Sequence, residues 1–385
     1  MANSLGNYNP VFYAQEALIQ LEKALGMAGR VHRGYEEERK SFGRGQTINI
    51  RKPSTFTAQN APSSAQDLDT GTTALVLDYW KEVKFKVSDR ELAFTGQKII
   101  DDHVRPAAYA LADDVDQKLA ALYKDIPWFT TTNATPGSVV TDVTDPRKTM
   151  FNNSVPMNGA GDLHFMVDGT MEQGLIGNAA YAQWQGAGSE GLATQMRGTL
   201  GYRYGYEFFA NQNVQSHTKG TGSSTSCSVV GATALGATTI TIDDTSLTGT
   251  VVPGDSFVIA GNTQRYAITN TVTAASNAMV GITFTPALVA AASDNDAATL
   301  TFQTTDAENL AFHKNAFALA LAPLPEMPSE LGANVAVVTD PITGLSLRAR
   351  IYYVGDSSEV HVALDILYGV KTLDPNLACR VQDNA

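Results

Sequence analysis

The sequence predicts an α+β protein into which a small all-β domain is inserted, and three observations lead to this prediction. Apolar residues recur at helical spacing near the N-terminus and from residue 97 to 124, whereas several other segments alternate apolar and polar residues as strands do. Between about 221 and 303 the composition shifts to Thr, Ser, Val, Ala and Gly, in short alternating runs separated by turn residues. Helical and mixed sequence resumes at Asp306, so we expect one domain to be interrupted by another whose ends lie close together.

Residues 1–43 predict an N-terminal arm that contains one amphipathic helix. Asn9 and Pro10 suit the cap and the first turn of a helix. The apolar residues that follow at spacings of three and four form a stripe to be buried; they are Ala14, Leu18, Leu21, Leu25 and Ala28. Gly43 and Gly45 then break the pattern.

Residues 44–95 predict a long, extended β-hairpin with a loose tip. The runs TINIRKPSTFTA (47–58) and TALVLDYWKEVKFKV (73–87) both alternate, and a polar stretch with Pro and Ser joins them. Because an isolated two-stranded ribbon is marginal in water, we expect this hairpin to pack on another domain or another subunit. The candidate residues for contact with a neighbouring subunit are Arg51, Lys52, Trp80 and Lys84. We expect Arg51 and Lys52 to meet acidic groups there.

Within residues 96–130, the span from Gln97 to Lys124 predicts the longest helix of the chain, about 40 Å at 1.5 Å per residue. Its apolar positions keep helical spacing; they are Ile100, Val104, Ala108, Leu111, Val115, Leu119 and Leu122. Pro106 lies inside this segment, so we expect a kink or a restart there. Residues 131–220 mix short helical and strand patterns with many glycines and predict a mixed α/β region.

Residues 304–385 predict the remainder of the interrupted domain. In NLAFHKNAFALALAPLP (309–325), apolar residues surround His313, which predicts a packed wall with Lys314 and Asn315 at a polar edge rather than a catalytic group. The tail LRARIYYVGDSSEVHVALDILYGVKTL (347–373) predicts two strands joined at GDSS, a hairpin that ends the fold.

The residues indicate no catalytic, cofactor or metal site. The motif GAGSEG (186–191) does not follow a buried strand, so a flexible loop is favoured over a dinucleotide site. Asp101, Asp102 and His103 are metal ligands by type, but acids near a helix start commonly lie in solvent. No serine stands in a GxSxG elbow, and Cys227 and Cys379 lie far apart, which indicates neither a metal half-site nor a disulfide framework.

Charge and hydropathy exclude two classes of partner. The net charge of −12 argues against a sequence-specific reader of nucleic acid, because such proteins concentrate Lys and Arg. The polar N-terminus does not have the pattern of a signal peptide, and no apolar run approaches the roughly 20 residues that cross a bilayer. We therefore expect synthesis in the cytoplasm and no membrane partner.

The order of these elements resembles the coat proteins of tailed bacteriophages, in particular the branch with an inserted β domain. The resemblance is carried by GYEEERKSFGRGQTINIRKPSTFT, VRPAAYALADDVD, NLAFHKNAFALALAPLP and ALDILYGVKTLDPNLACRV, in that order along the chain. It covers nearly the whole chain and is strongest at 34–58, 97–122 and 306–379. None of these segments is catalytic, so the specificity of the resemblance lies in their joint occurrence.

This resemblance implies the major capsid fold of tailed phages. Its parts would be the N-terminal arm (1–43), an extended loop (44–95), a spine helix (96–130) of a peripheral domain, an axial and peripheral region (131–220), the inserted β domain (221–303) and the remaining axial and peripheral residues (304–385). It also implies self-assembly into hexamers and pentamers of an icosahedral shell around double-stranded DNA, made in the host cytoplasm and located in the virion. Scaffolding, portal and decoration proteins are the further partners that it implies. Some relatives cross-link their shells through Lys and Asn, but no motif places such a pair here.

Two alternatives of different function stay open at this stage. An encapsulin-like compartment protein would share the fold and enclose protein cargo instead of a genome. An adhesion or carbohydrate-binding protein would use residues 221–303 as its working domain, but it would give the long hairpin and the spine helix no role.

Overall fold

The computed structural model describes residues 14–15, 17, 26–33, 47–51, 56, 58–61, 65, 71–88, 103–157, 159, 161–182, 191, 193–325, 333–339 and 346–383. The chain forms two compact units. The first contains residues 1–116 and 318–371, and the second contains residues 117–317 and 372–385. The predicted N-terminal helix lies for the most part outside the described residues.

The elements before residue 121 are strands β1 (Thr47–Arg51), β2 (Thr72–Val76) and β3 (Tyr79–Ser88) and helix α1 (Arg105–Ala120). Strands β1 and β2 form an antiparallel ribbon in which Thr47 lies opposite Val76 and Arg51 opposite Thr72. Alternation in β1 buries Ile48 and Ile50 on one face, as their spacing predicts.

The predicted return strand of the hairpin, residues 73–87, is wrong as a single strand. Only β2 pairs with β1, whereas β3 joins a different sheet, so Trp80 and Lys84 lie outside the ribbon. The periodicity could not show this division because odd-numbered residues face inward in both strands, and Leu77 between them is also buried. When a chain moves from one partner strand to another and its odd-numbered residues still face inward, the alternation in the sequence continues without a break.

Helix α1 confirms the central part of the predicted long helix. Pro106 is the second residue of α1, and residues 103–104 directly before it are already in a π-helical turn, so the regular α-helix restarts at the proline. A 3₁₀ turn at Ala121–Asp125 continues it. The buried positions match the predicted stripe; they are Val104, Ala108, Leu111, Val115 and Leu119. Residues 97–102 lie outside the described part of the chain.

The middle of the chain is the mixed α/β region that the sequence predicts. Its elements are β4 (Phe129–Thr131), α2 (Thr141–Asn152), β5 (Leu163–Val167), α3 (Gly169–Gly177), α4 (Ala179–Ala182), β6 (Tyr202–Arg203) and β7 (Tyr206–Ala210). Helix α3 begins at an N-cap, Asp168, whose carboxylate accepts the N–H groups of Thr170 and Met171.

The inserted segment is a closed β-barrel. Its strands are β8 (Cys227–Val229), β9 (Thr239–Asp243), β10 (Thr250–Val251), β11 (Ser256–Ile259), β12 (Arg265–Ile268), β13 (Val272–Thr273), β14 (Ala278–Thr285) and β15 (Ala297–Thr301). The barrel order is β11-β12-β14-β9-β8-β15, with β10 and β13 paired beside it. Phe257, Tyr266 and Phe284 stack at the centre of a core drawn from the insert itself.

The last elements complete two sheets. They are β16 (Glu308–His313), β17 (Phe317–Ala322), β18 (Ala333–Thr339), β19 (Ser346–Val354), β20 (Glu359–Thr372) and β21 (Ala378–Gln382). In the second unit the strand order is β4-β21-β16-β5-β7-β6. The described strands of the other sheet follow the path β17-β20-β19-β18, with β3 on β20.

The tail departs from the prediction in one respect. Strands β19 and β20 form the predicted hairpin around GDSS, but β21 follows them and joins the six-stranded sheet of the second unit, so the hairpin does not end the fold. The 3₁₀ turn Pro375–Leu377, capped by the Asp374 carboxylate, redirects the chain between these strands. Because this turn is only three residues long, the alternation of apolar and polar residues did not indicate that the chain changes sheets there.

The segment from 309 to 325 is a packed wall, which confirms the sequence interpretation. All residues of β16 and β17 are buried. Between these strands the buried His313 accepts the N–H of Asn315, and the exposed Lys314 pairs with Asp162 at 2.7 Å. Burial lowers the pKa of His313, which keeps it neutral in this wall.

The chain enters and leaves the insert along one short ladder. His217 donates its N–H to the carbonyl of Asp306 at 2.8 Å, and Lys219 donates its N–H to the Thr305 hydroxyl at 3.0 Å. The ends of the insert are therefore adjacent, as the composition predicts. The limits of the six predicted segments stay predictions.

Candidate subunit interface

The outward face of β3 holds two of the four predicted contact residues. Trp80, Glu82, Lys84 and Lys86 alternate with half-buried residues, and Trp80 keeps 60% of its surface exposed. β3 pairs antiparallel with β20 over ten residues. Period-two alternation places these four side chains on one face, where long polar side chains and a tryptophan meet solvent.

Asp365 organises this face from the middle of β20. Its carboxylate is fully buried and accepts hydrogen bonds from Arg348, bidentately, and from the Trp80 indole at 3.2 Å. Arg350 approaches the same carboxylate at 3.4 Å and also pairs with Glu82 at 2.9 Å. Each of these hydrogen bonds offsets part of the cost of burying the carboxylate.

Lys84 and Lys86 continue the polar face toward the end of the sheet. The Lys84 ammonium lies 5.1 Å from the centre of the Tyr352 ring, a cation–π contact across strands. Lys86 pairs with Glu359 at 2.7 Å, and His361 approaches the same carboxylate at 3.3 Å. The hydrogen bond from Lys86, followed by that from His361, lowers the pKa of Glu359 to about 2.

Arg51 lies in the β1–β2 ribbon and not on the outward face of β3. It ends β1 in an exposed position opposite Thr72, whereas the root of the ribbon is the pair Thr47 and Val76. At Val76 the ribbon crosses β20 so closely that a Cβ on Gly369 would lie 2.2 Å from its carbonyl oxygen. Arg51 therefore lies about 13 Å along the strand from that root. Lys52 lies outside the described residues.

The inward face of the same sheet packs on helix α1. Tyr79 stacks on Tyr368 with ring centres 5.2 Å apart, and the Tyr368 hydroxyl donates to Asp114 of α1. Lys81 also pairs with Asp114, at 3.3 Å. One face of β3 is thus committed to its own subunit, which leaves the opposite face for other contacts.

One carboxylate ties an N-terminal segment to α1. Buried Asp116 accepts the N–H groups of Gly26, Met27 and Ala28 at 2.6, 3.2 and 3.0 Å. The chain then reaches His32, whose carbonyl accepts the N–H of Leu319. Three N–H groups on one carboxylate fix this turn as firmly as a helix cap does.

Buried polar groups join the barrel to the 3₁₀ turn after α1 and to the segment that enters the insert. His217 lies between the Tyr123 hydroxyl, 3.3 Å from Nδ1, and the Asp255 carboxylate, 3.6 Å from Nε2. Asp255 also accepts the N–H groups of Val252 and Gln303. Gly254, at a φ of +107°, lets the chain approach His217, because a Cβ there would lie 3.0 Å from the imidazole. Burial raises the pKa of Tyr123 to about 12, so its hydroxyl stays protonated.

The sequence reasoning missed Arg348, Arg350 and Asp365. Two arginines at positions i and i+2 of one strand approach one aspartate of the next strand. Arg348 lies seven residues before the GDSS turn and Asp365 seven residues after it. Counting outward from that turn would have paired Arg348 with Asp365. Among the weighed metal ligands, Asp101 and Asp102 lie outside the described residues, and no described cluster of His, Cys, Asp or Glu side chains could hold a metal ion.

The fold is similar to solved structures of viral shells and particles. A structure named Mycobacterium phage Che8 matches 93% of this chain and 90% of its own, at 15% identity and a TM-score of 0.51. The capsid structure of the cyanophage P-SCSP1u matches 88% of this chain and 84% of its own, at 13% identity and a TM-score of 0.47. A virus-like particle from Pyrococcus furiosus matches 96% and 97%, at 7% identity and a TM-score of 0.44.

The fold assignment rests on the first of these three structures, which has the highest TM-score. It confirms the predicted α+β fold with its inserted all-β domain. No protein-family model matches the chain, and no curated protein matches it in sequence. Across the described residues, no helix is long and apolar enough to span a membrane.

Proposed function

We propose that this protein is the major capsid protein of a tailed phage, a structural subunit that assembles with copies of itself into a closed icosahedral shell around double-stranded DNA. One observation carries the proposal. A ribbon, a long helix, an inserted barrel and a buried wall occur in one chain in the order that the coat-protein resemblance implies. The shared fold over nearly the whole chain supports it.

The candidate contacts between subunits are the ribbon and the outward face of β3. Arg51 lies at the end of β1 farthest from the root of the ribbon, and Lys52 follows it in the sequence. Trp80 and Lys84 present an aromatic ring and a cation on the sheet. Tryptophan and arginine are among the residues that contribute most to binding at protein interfaces. Acidic groups of a neighbouring copy suit both places, because the chain carries 39 acidic residues against 27 basic ones.

The charge of the chain suits enclosure of DNA without sequence-specific binding. A net charge of −12 repels phosphates, so packaged DNA would not adhere to the shell wall. Synthesis in the host cytoplasm, location in the virion, and scaffolding, portal and decoration partners belong to the same proposal. The predicted arm, extended loop, spine helix and axial and peripheral segments are its working division of the chain.

Sedimentation velocity of the purified protein, with and without a co-expressed scaffold, tests this function. We expect a fast-sedimenting closed particle, and particles recovered from producing cells should contain double-stranded DNA. Particles that hold protein cargo and no DNA would favour the encapsulin-like alternative. A chain that stays monomeric at high concentration under both conditions would contradict shell assembly.

Charge reversal at the ribbon tests the proposed contact. The double variant Arg51→Glu, Lys52→Glu should fold but assemble poorly, because like charges would then meet across the interface. The double variant Lys148→Glu, Arg197→Glu makes the same change of charge at two exposed positions outside the ribbon and is the control. Normal shells from the double variant at every salt concentration would show that the ribbon contact is wrong.

A further inference from the structure

A cavity of about 580 Å³ opens where the barrel meets the six-stranded sheet. Two aromatic rings, several amide and hydroxyl side chains and one cation, Arg265, line it. Although the chain is rich in acids, no carboxylate is present among the residues that line this cavity in the described part of the chain. A polar cavity with one cation and no anion favours a negatively charged occupant.

Arg265 is a half-buried cation whose contacts leave its charge uncompensated. Its Nη1 donates to the hydroxyls of Ser256 and Thr301, and its guanidinium lies 4.7 Å from the centre of the Phe129 ring. No carboxylate of the described residues lies within ion-pair distance of it. Burial, and then repulsion from Arg380, lower the pKa of Arg265. An anion would reverse the second of these effects.

Arg380 adds positive potential behind the same ring. It is fully buried, its guanidinium lies 5.9 Å from the centre of Phe129, and its three side-chain nitrogens have no hydrogen-bond partner. Glu308 approaches it only at 3.6 Å. Burial raises the pKa of Glu308, and the attraction of Arg380 opposes this shift only in part.

A second side chain that lines the cavity, Asn153, is a potential hydrogen-bond donor. Asn153 lines the cavity, and its buried Nδ2 has no partner. The C-terminus of α2 lies here and carries about half a negative charge. Its last carbonyls are already bonded, since Thr149 and Met150 accept the N–H groups of Asn153 and Val155. The full charge of Arg265 therefore outweighs the helix end.

We propose that this cavity binds a small oxyanion, a phosphate or a carboxylate, with Arg265 as its charge partner and Asn153 as a donor. Guanidinium groups hold both kinds of anion through paired N–H bonds. Because one wall belongs to the barrel and the other to the host sheet, the bound anion stabilises the seat of the barrel. This inference does not depend on shell assembly, and its test uses unassembled subunits.

Trp128 lines the cavity and reports on its occupant. We would titrate the full chain with inorganic phosphate and, in a second series, with acetate, while chloride keeps the ionic strength constant. We expect a saturable change of tryptophan emission that Trp128→Phe removes. The two series show which oxyanion chemistry the cavity prefers, and saturation by either one supports the proposal.

Two variants and one control make the test decisive. Arg265→Gln should weaken binding about tenfold or more, the usual effect of losing a charged hydrogen bond. Asn153→Ala should weaken it about threefold, and this half-exposed residue can be changed even where Arg265→Gln fails to fold. Arg197→Gln removes the same charge at an exposed position outside the lining and should change nothing. No saturable response beyond chloride, or an unchanged midpoint in Asn153→Ala, would overturn the proposal.

Discussion

The inserted barrel and the sheet that contains β20 differ in their strand edges: the barrel is closed and the sheet is open. The barrel closes its strand order on itself, which removes edges, and buries its own apolar core. In the sheet, β3 and β18 each pair with one strand among the described ones, and β1 and β2 form a separate ribbon. The barrel is complete in itself, whereas the sheet and the ribbon do not close on themselves within the described part of the chain.

The two regions also differ in their charges: the insert is acidic, whereas the sheet carries both signs. The insert has five acidic residues and one basic residue; they are Asp243, Asp244, Asp255, Asp294, Asp296 and Arg265. The sheet instead concentrates both signs on one face around Asp365. We infer that the sheet and the ribbon carry the contacts that specify a neighbour, because paired charges set register and orientation.

The largest expected difference is in how the two regions fold when each is expressed as an isolated fragment. Residues 221–303 alone should give dispersed amide resonances, because the closed barrel and its core lie within them. Residues 318–371 are the matched control and should stay unfolded, since they lack β3 and α1. A disordered spectrum from 221–303 would show that the barrel depends on its host, and the comparison would then fail.

The next effect concerns the buried charges of the sheet. Asp365→Ala should cost about 3–5 kcal/mol, because it leaves the buried Arg348 without its partner. Thermal and denaturant unfolding measure the loss. Asp356→Ala, at the exposed GDSS turn, should cost almost nothing. A loss below about 1 kcal/mol for Asp365→Ala would mean that the network does not hold the sheet together.

A smaller effect is expected at the end of the six-stranded sheet. Burial, and then repulsion from Asp168 and other acids, raise the pKa of Asp383 to about 7. The folded state keeps this proton longer than the unfolded state, so the contribution of Asp383 to stability is present at about pH 4 and is lost as pH rises through 7. Asp383→Asn should raise Tm at pH 8 by a few degrees and leave it unchanged near pH 4. Equal shifts at both values would contradict this.

The smallest effect is expected in the barrel. Backbone N–H groups of Ser226 and Thr225 bond the Asp244 carboxylate and lower its pKa to about 2. Since the unfolded carboxyl titrates near 4, this stabilisation is present above about pH 4 and is lost as pH falls through 2. Asp244→Asn should lower Tm slightly at pH 6, and the difference should vanish near pH 2. Asp294→Asn provides the control at another turn of the insert.

The sequence predicted those parts of the fold that depend on local pattern. The stripe of α1, the presence of an all-β insert, and the strands around GDSS follow from periodicity, composition and turn residues. The partner strand of β3 could not be predicted, because odd-numbered residues face inward in both β2 and β3 and the alternation continues through Leu77. The cavity could not be predicted either. Trp128, Asn153, Arg265 and Asn376 meet there only through long-range packing.

Electron microscopy of the purified full chain tests the central claim most directly. The proposed function predicts closed particles with hexameric and pentameric rings, and one barrel-sized projection on the outer face for each subunit. Open aggregates or single subunits alone, at every concentration and with a co-expressed scaffold, would contradict it.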